Sequence, residues 1–152
     1  VCLTAVVAIG GVSAPASAKS KGYVFKYKGV SVTMNGAAKK LIKKAGKPSK
    51  KTVKKSCAYK GKDRTYTYKD FQLKTYSKTN NGAEYVSEIR FRSNKAVTKE
   101  GIRIGSSLKD VTKKYGKAKA RFGVYTFKKG SSKLQIMLNG NKVSAIRYFA
   151  SK

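Results

Sequence analysis

The chain has 152 residues, of which 40% are hydrophobic, and it carries 36 Lys and Arg against 6 Asp and Glu, a formal net charge of +30. That length and apolar content exclude wholesale disorder and leave room for one compact domain or two very small ones. The charge directs attention to polyanions, and the absence of histidine beside only two cysteines excludes a zinc cluster.

Residues 1–18, VCLTAVVAIGGVSAPASA, contain no charge and end in Ala16-Ser17-Ala18, a small-x-small pattern just before Lys19. They read as a cleaved export signal whose own first residues precede Val1, since Met and a basic start are both missing. Cys2 stands before the apolar run instead of after it, which argues against lipidation there. Removal of the signal leaves Cys57 as the one thiol, so no disulfide closes within the mature chain. With no histidine to activate it, Cys57 is expected as a small buried residue; exposed, it would feel Lys54, Lys55 and Lys60.

The stretch YVFKYKG (23–29) alternates apolar and polar residues and offers an extra edge strand. Val32 to Met34 then run into a first short helix, with Ala38, Leu41, Ile42 and Ala45 on one face and Gly46 and Pro48 as its stop. Period-two faces follow at Tyr66 and Tyr68, at Phe71, Leu73 and Thr75, and at Ile89 and Phe91, divided by turns at Lys69-Asp70 and Thr79–Gly82. A second apolar strand at Ile102–Ile104 leads to a second helix, capped by Ser106 or Ser107. With Ser107 as cap, Asp110 completes a capping box. Leu108, Val111, Thr112 and Tyr115 share its inner face, and Gly116 ends it in the left-handed conformation. Strands at Tyr125 and Phe127, at Leu134, Ile136 and Leu138, and at Ile146 and Tyr148 close the chain, with turns at Gly130-Ser131 and Asn139–Asn141.

An echo runs through these elements. VSEIRF (86–91) returns as VSAIRY (143–148), and KKLIKKAGK (39–47) aligns with KDVTKKYGK (109–117). Tyr66-Thr67-Tyr68 likewise answers Tyr125-Thr126-Phe127. Two units of about 55 to 70 residues account for this, 19–95 and 96–152. The expected fold is α+β: two tandem repeats, each a short helical segment packed on an antiparallel β-meander, forming one continuous sheet.

The run SCAYKGKDRTYTY (56–68), with YVSEIRF (85–91) and VTKEGIRIGSSLKDVTKKYG (97–116), resembles a family of uncharacterised secreted proteins and lipoproteins of clostridia and related Gram-positive bacteria. The likeness extends from about Tyr23 to Tyr148, and the family is similar in repeat pattern to the tandem α+β fold of the β-lactamase inhibitory protein. What the resemblance implies is a binding scaffold without a reaction. The motif positions Ser56, Cys57, Ala58, Gly61, Asp63, Tyr66 and Tyr68 inherit no chemistry from it, and β-lactamase inhibition does not transfer with a fold.

The carboxylates Asp63, Asp70, Glu84, Glu88, Glu100 and Asp110 are scattered, and Gly101–Gly105 lacks the Lys-Ser/Thr of a phosphate loop. The chain is therefore expected to be no enzyme and to need no cofactor or metal. Its binding residues are expected among the lysines that lie on or just after the helices: Lys39, Lys40, Lys43, Lys44, Lys47, Lys50, Lys51, Lys54, Lys55, Lys113, Lys114 and Lys117, the second of these groups running on through Lys119 and Arg121. A predominance of Lys over Arg suits general attraction to polyanions more than sequence reading, although solubility alone also explains a charged surface. Tyr66, Tyr68 and Tyr76 are expected on an open sheet face, where tyrosine favours protein contact. The partners that fit are an anionic envelope polymer or an extracellular protein, with a secreted nucleic-acid-binding module as the alternative.

Overall fold

The computed structural model describes residues 22–151; the export signal proposed for 1–18 lies outside them. A hairpin of β1 (Val24–Tyr27) and β2 (Val30–Thr33) leads to helix α1 (Lys39–Ala45). Strands β3 (Lys50–Lys55), β4 (Lys62–Thr67), β5 (Phe71–Ser77) and β6 (Glu84–Phe91) follow, then helix α2 (Leu108–Tyr115) and strands β7 (Val124–Lys129), β8 (Ser132–Asn139) and β9 (Lys142–Ala150). The architecture is α+β with antiparallel sheets. Seven strands lie in the order β3-β4-β5-β6-β9-β8-β7, and β1-β2 form a separate two-stranded ribbon.

The echoed hexapeptides pair with each other at the centre of the large sheet, Arg90 opposite Arg147 and Ile89 opposite Tyr148. Their shared Val-Ser has a structural counterpart. Ser87 is skipped in the register of β6 against β5, and Ser144 in that of β9 against β8, so each strand carries a bulge at the same place.

Three backbone hydrogen bonds tie Asn35, Gly36 and Ala38 to Val86 and Glu84. Three equivalent bonds tie Gly105, Ser106 and Leu108 to Val143 and Asn141. The burial sequence of residues 41–50 also recurs residue for residue over 111–120.

One face of the sheet is covered by both helices and the ribbon. Leu41, Val111, Phe25, Leu73, Ile89, Leu134, Ile136, Ile146 and Tyr148 belong to a single core cluster drawn from both halves. The α2 cap is Ser107, whose hydroxyl accepts the Asp110 N–H at 3.1 Å while the Asp110 carboxylate accepts the Ser107 N–H at 3.3 Å. Helix α1 has the wholly buried Ala38 at the same position and no side-chain cap, because a methyl group accepts no hydrogen bond.

Several expectations are corrected. YVFKYKG is no edge strand of the main sheet: its strand pairs with β2 in the ribbon, and its Phe25 ring packs into the core, its centre 5.3 Å from that of Phe71 and 5.6 Å from that of Phe91. Residues 102–104 form no strand, since the partner that β2 finds in β1 has no equivalent there. Gly116 and Gly46 stop their helices with φ near +87° and +80°, but with ψ of 178° and −148°. The backbone thus leaves in an extended direction open essentially to glycine alone, instead of making a left-handed turn. Lys50, Lys51, Lys54 and Lys55 do not belong to the helical layer; they lie on β3, at one edge of the sheet. Cys57 is exposed, because in the turn after β3 Ser56 takes the inward position.

Candidate functional site

The site begins with alternation on two strands. In Glu88-Ile89-Arg90-Phe91 and Ile146-Arg147-Tyr148-Phe149, the apolar residues Ile89, Phe91, Ile146 and Tyr148 turn to the core, so Glu88, Arg90, Arg147 and Phe149 fall on the uncovered face. Pairing of β6 with β9 sets Arg90 directly against Arg147, an unfavourable juxtaposition of like charges.

Glu88 relieves it from the neighbouring pair. Its carboxylate lies 3.6 Å from Arg90, 3.3 Å from Arg147 and 3.3 Å from Lys74. One acid thus serves three cations and leaves a local surplus of positive charge. The Arg147 guanidinium also lies over the Phe149 ring, 4.7 Å from its centre, which fixes its plane.

These arginines form one wall of a groove of about 810 Å³ on the open face. Arg121 and Lys119 contribute two further cations, Thr126 and Gln135 supply neutral polar groups, and no carboxylate lines it. At its rim a tight turn is closed by reciprocal backbone hydrogen bonds of 3.0 Å between Arg121 and Val124. Phe122 at its tip is fully exposed and has φ of +53°. A bulky residue with positive φ and no packing in return is an expense of the kind found at binding surfaces. Ahead of β4, by contrast, the chain forms the longer β3–β4 hairpin.

All twelve predicted lysines are exposed, but the structure divides them. Lys39, Lys40, Lys43 and Lys44 on α1, with Lys47 just past it, and Lys113 and Lys114 on α2, with Lys117 just past it, coat the helical layer. The β3 lysines guard a sheet edge, where charge blocks strand addition. Neither group is in the groove.

Tyr66 and Tyr68 are buried on the core face, contrary to expectation. Tyr66 donates its hydroxyl to Glu84 at 2.9 Å; burial first and then this acid push its pKa up. Only Tyr76 of the three reaches the open face, where it is half-buried and stacked under Tyr59, with ring centres 5.0 Å apart.

Most carboxylates have structural employment. Glu84 also accepts from Thr75, Asp70 accepts from Ser93, Glu100 accepts from Tyr115, and Asp110 caps α2. Among the described residues, no three His, Cys, Asp or Glu side chains gather as a metal site would require.

Sequence reasoning missed Arg90, Glu88, Arg147 and Phe122; Lys119 and Arg121 it placed in the basic group after the second helix. The first and third were visible in the echo itself, as the polar members of its alternation. No protein-family model matches the chain, and no curated protein and no solved structure matches it.

Proposed function

We propose that this chain is an exported, non-enzymatic binding protein of the bacterial envelope or exterior, built from two tandem repeats, that engages anionic wall polymers through its open sheet face. The observation that carries the reading is the groove wall, where Arg90 and Arg147 share one carboxylate and Arg121 and Lys119 share none. A phosphate or carboxylate entering there gains charge-assisted, bidentate hydrogen bonds from arginine. The helical lysines act at longer range: they gather a polyanion without fixing its position.

The duplication is supported by the paired bulges at Ser87 and Ser144 and by the two equivalent sets of three hydrogen bonds. Export is supported by the uncharged segment ending at Ala18. A binding role without catalysis is supported by the carboxylates already engaged in ion pairs and caps.

Retention on purified Gram-positive cell walls, with and without teichoic acid, across a salt series tests this. We expect retention that falls steeply with salt, because counterions displaced on binding oppose it, and that disappears with the teichoic acid. Equal retention on both walls would contradict an anionic polymer as ligand and favour an extracellular protein. Tighter binding to single-stranded DNA than to teichoic acid would favour the nucleic-acid module.

A further inference from the structure

The turn between β3 and β4 is built more firmly than a connection needs. The Ser56 N–H donates to the Gly61 carbonyl at 3.0 Å, and the Ser56 hydroxyl accepts the Ala58 N–H at 3.3 Å. At the other end of the turn, the Lys62 N–H donates to the Ser77 hydroxyl at 3.0 Å. Gly61 is pressed so closely on β5 that a Cβ there would collide with the Ser77 carbonyl.

The consequence is the position of Tyr59. It is folded back over the open face, where it stacks on Tyr76 with the ring planes 14° apart, and Tyr76 in turn meets Tyr85 at 5.6 Å. Tyr59 remains 43% exposed.

Beneath this ladder lies a cleft of about 490 Å³ whose lining includes Tyr59, Tyr76, Asn35, Asp63 and Thr65. Asp63 is directly cross-strand from Tyr76 on one side and from Lys54 on the other. It is also the one carboxylate among the described residues that makes no hydrogen bond or ion pair, in a chain with 36 cations. Asn35 accepts from the Tyr76 hydroxyl at 3.2 Å, which leaves its amide nitrogen to donate.

We propose that this cleft is a saccharide subsite, in which a neutral pyranose ring packs its C–H face on Tyr59 while Asp63 accepts from two adjacent hydroxyls and Asn35 donates to a third oxygen. Charge selects the class of ligand. Asp63 opposes a phosphodiester or other anion, and Lys74 and Arg64 in the lining, with Lys54 cross-strand from Asp63, oppose a cation. A neutral, hydroxyl-rich ring with an apolar face satisfies both constraints and uses the aromatic platform. This site is distinct from the arginine groove and does not depend on anion binding there. Ser56, Tyr59, Gly61 and Asp63 thereby acquire a common purpose: the first and third shape the turn that presents the other two.

The test is titration of the isotope-labelled protein with maltotriose, cellotriose and chitotriose, followed by amide chemical shifts at low salt and at about 0.5 M salt. We expect at least one trisaccharide to shift residues 56–65 and 76, with an affinity unchanged by salt. Tyr59→Ala and Asp63→Asn should each weaken it about tenfold, while Arg90→Gln leaves it intact. Tyr59 and Asp63 are surface residues, and an unchanged spectrum outside the cleft verifies that the variants fold. No shift with any of the three sugars overturns the proposal, as does binding that survives Tyr59→Ala or that vanishes with salt. Failure here alongside retained teichoic acid binding removes the saccharide site alone; the reverse outcome removes only the anionic polymer.

Discussion

At the scale of single residues, Glu88 and Phe122 bear opposite relations to stability. Glu88 is buried among three cations, so Glu88→Gln leaves Arg90 and Arg147 facing each other with no counter-charge. We expect urea denaturation to show a loss of about 1 to 3 kcal/mol. The same substitution removes the internal competitor for the arginines. Polyphosphate should therefore raise the melting temperature of the variant more than that of the parent.

Phe122 precedes Gly123 in the tight turn and has positive φ, a conformation that asparagine accepts far more readily. Phe122→Asn should stabilise the protein by about 1 kcal/mol and weaken binding in the groove, as read by thermal melts and polymer affinity. A variant that loses stability would show that Phe122 packs on something in the free protein. The residue-level evidence for the groove was present in the sequence as the period-two placement of Arg90 and Arg147. The arginines are few among many lysines, so composition does not single them out. Nothing local in the sequence pairs β6 with β9, so their meeting was not legible.

At the scale of elements, α2 was readable in detail because its cap is chemical: Ser107 and Asp110 stand three apart ahead of an apolar face. Ser107→Ala should cost about 1 kcal/mol in chemical denaturation. The Ser107 hydroxyl and backbone N–H hold the Asp110 carboxyl below its ordinary value. A carboxyl depressed in the folded state contributes stability that is complete above the unfolded value, about 3.9, and fades as pH falls through the lowered one. Melting temperature followed from pH 5 to pH 2 should therefore fall less steeply in Asp110→Asn than in the parent. Parallel acid limbs would show that the box contributes nothing in solution.

The β1–β2 ribbon and β3 were the elements read poorly. Alternation in 23–29 identifies a strand but not its partner, and only the packing of Phe25 against Phe71, Phe91 and Tyr148 detaches it from the main sheet. In β3 the sequence KKTVKK has a single exposed Val53 and no apolar face, so periodicity could not reveal a strand that is held by backbone pairing to β4.

At the scale of the whole molecule, the helices and ribbon cover one face of the sheet, and the other carries an arginine groove towards β7 and a tyrosine cleft towards β4 and β5. The class of the fold was legible in apolar periodicity and in turns. The location of the site was not, because it depends on which sheet face stays uncovered and on the tight turn at Arg121–Val124.

Electrostatics separates a diffuse polycation from a built site. If charge alone mattered, affinity would follow the number of positive residues removed; if the groove matters, two arginines would outweigh four lysines. The measurement that decides this is affinity for purified wall teichoic acid over a salt series, comparing the parent, Arg90→Gln with Arg147→Gln, and a variant with Lys43, Lys44, Lys113 and Lys114 all changed to Gln. We expect the two-arginine variant to lose more than about tenfold and the four-lysine variant to lose less. Losses in proportion to the charge removed, or none from the arginine pair, would contradict the groove as the place where this protein binds.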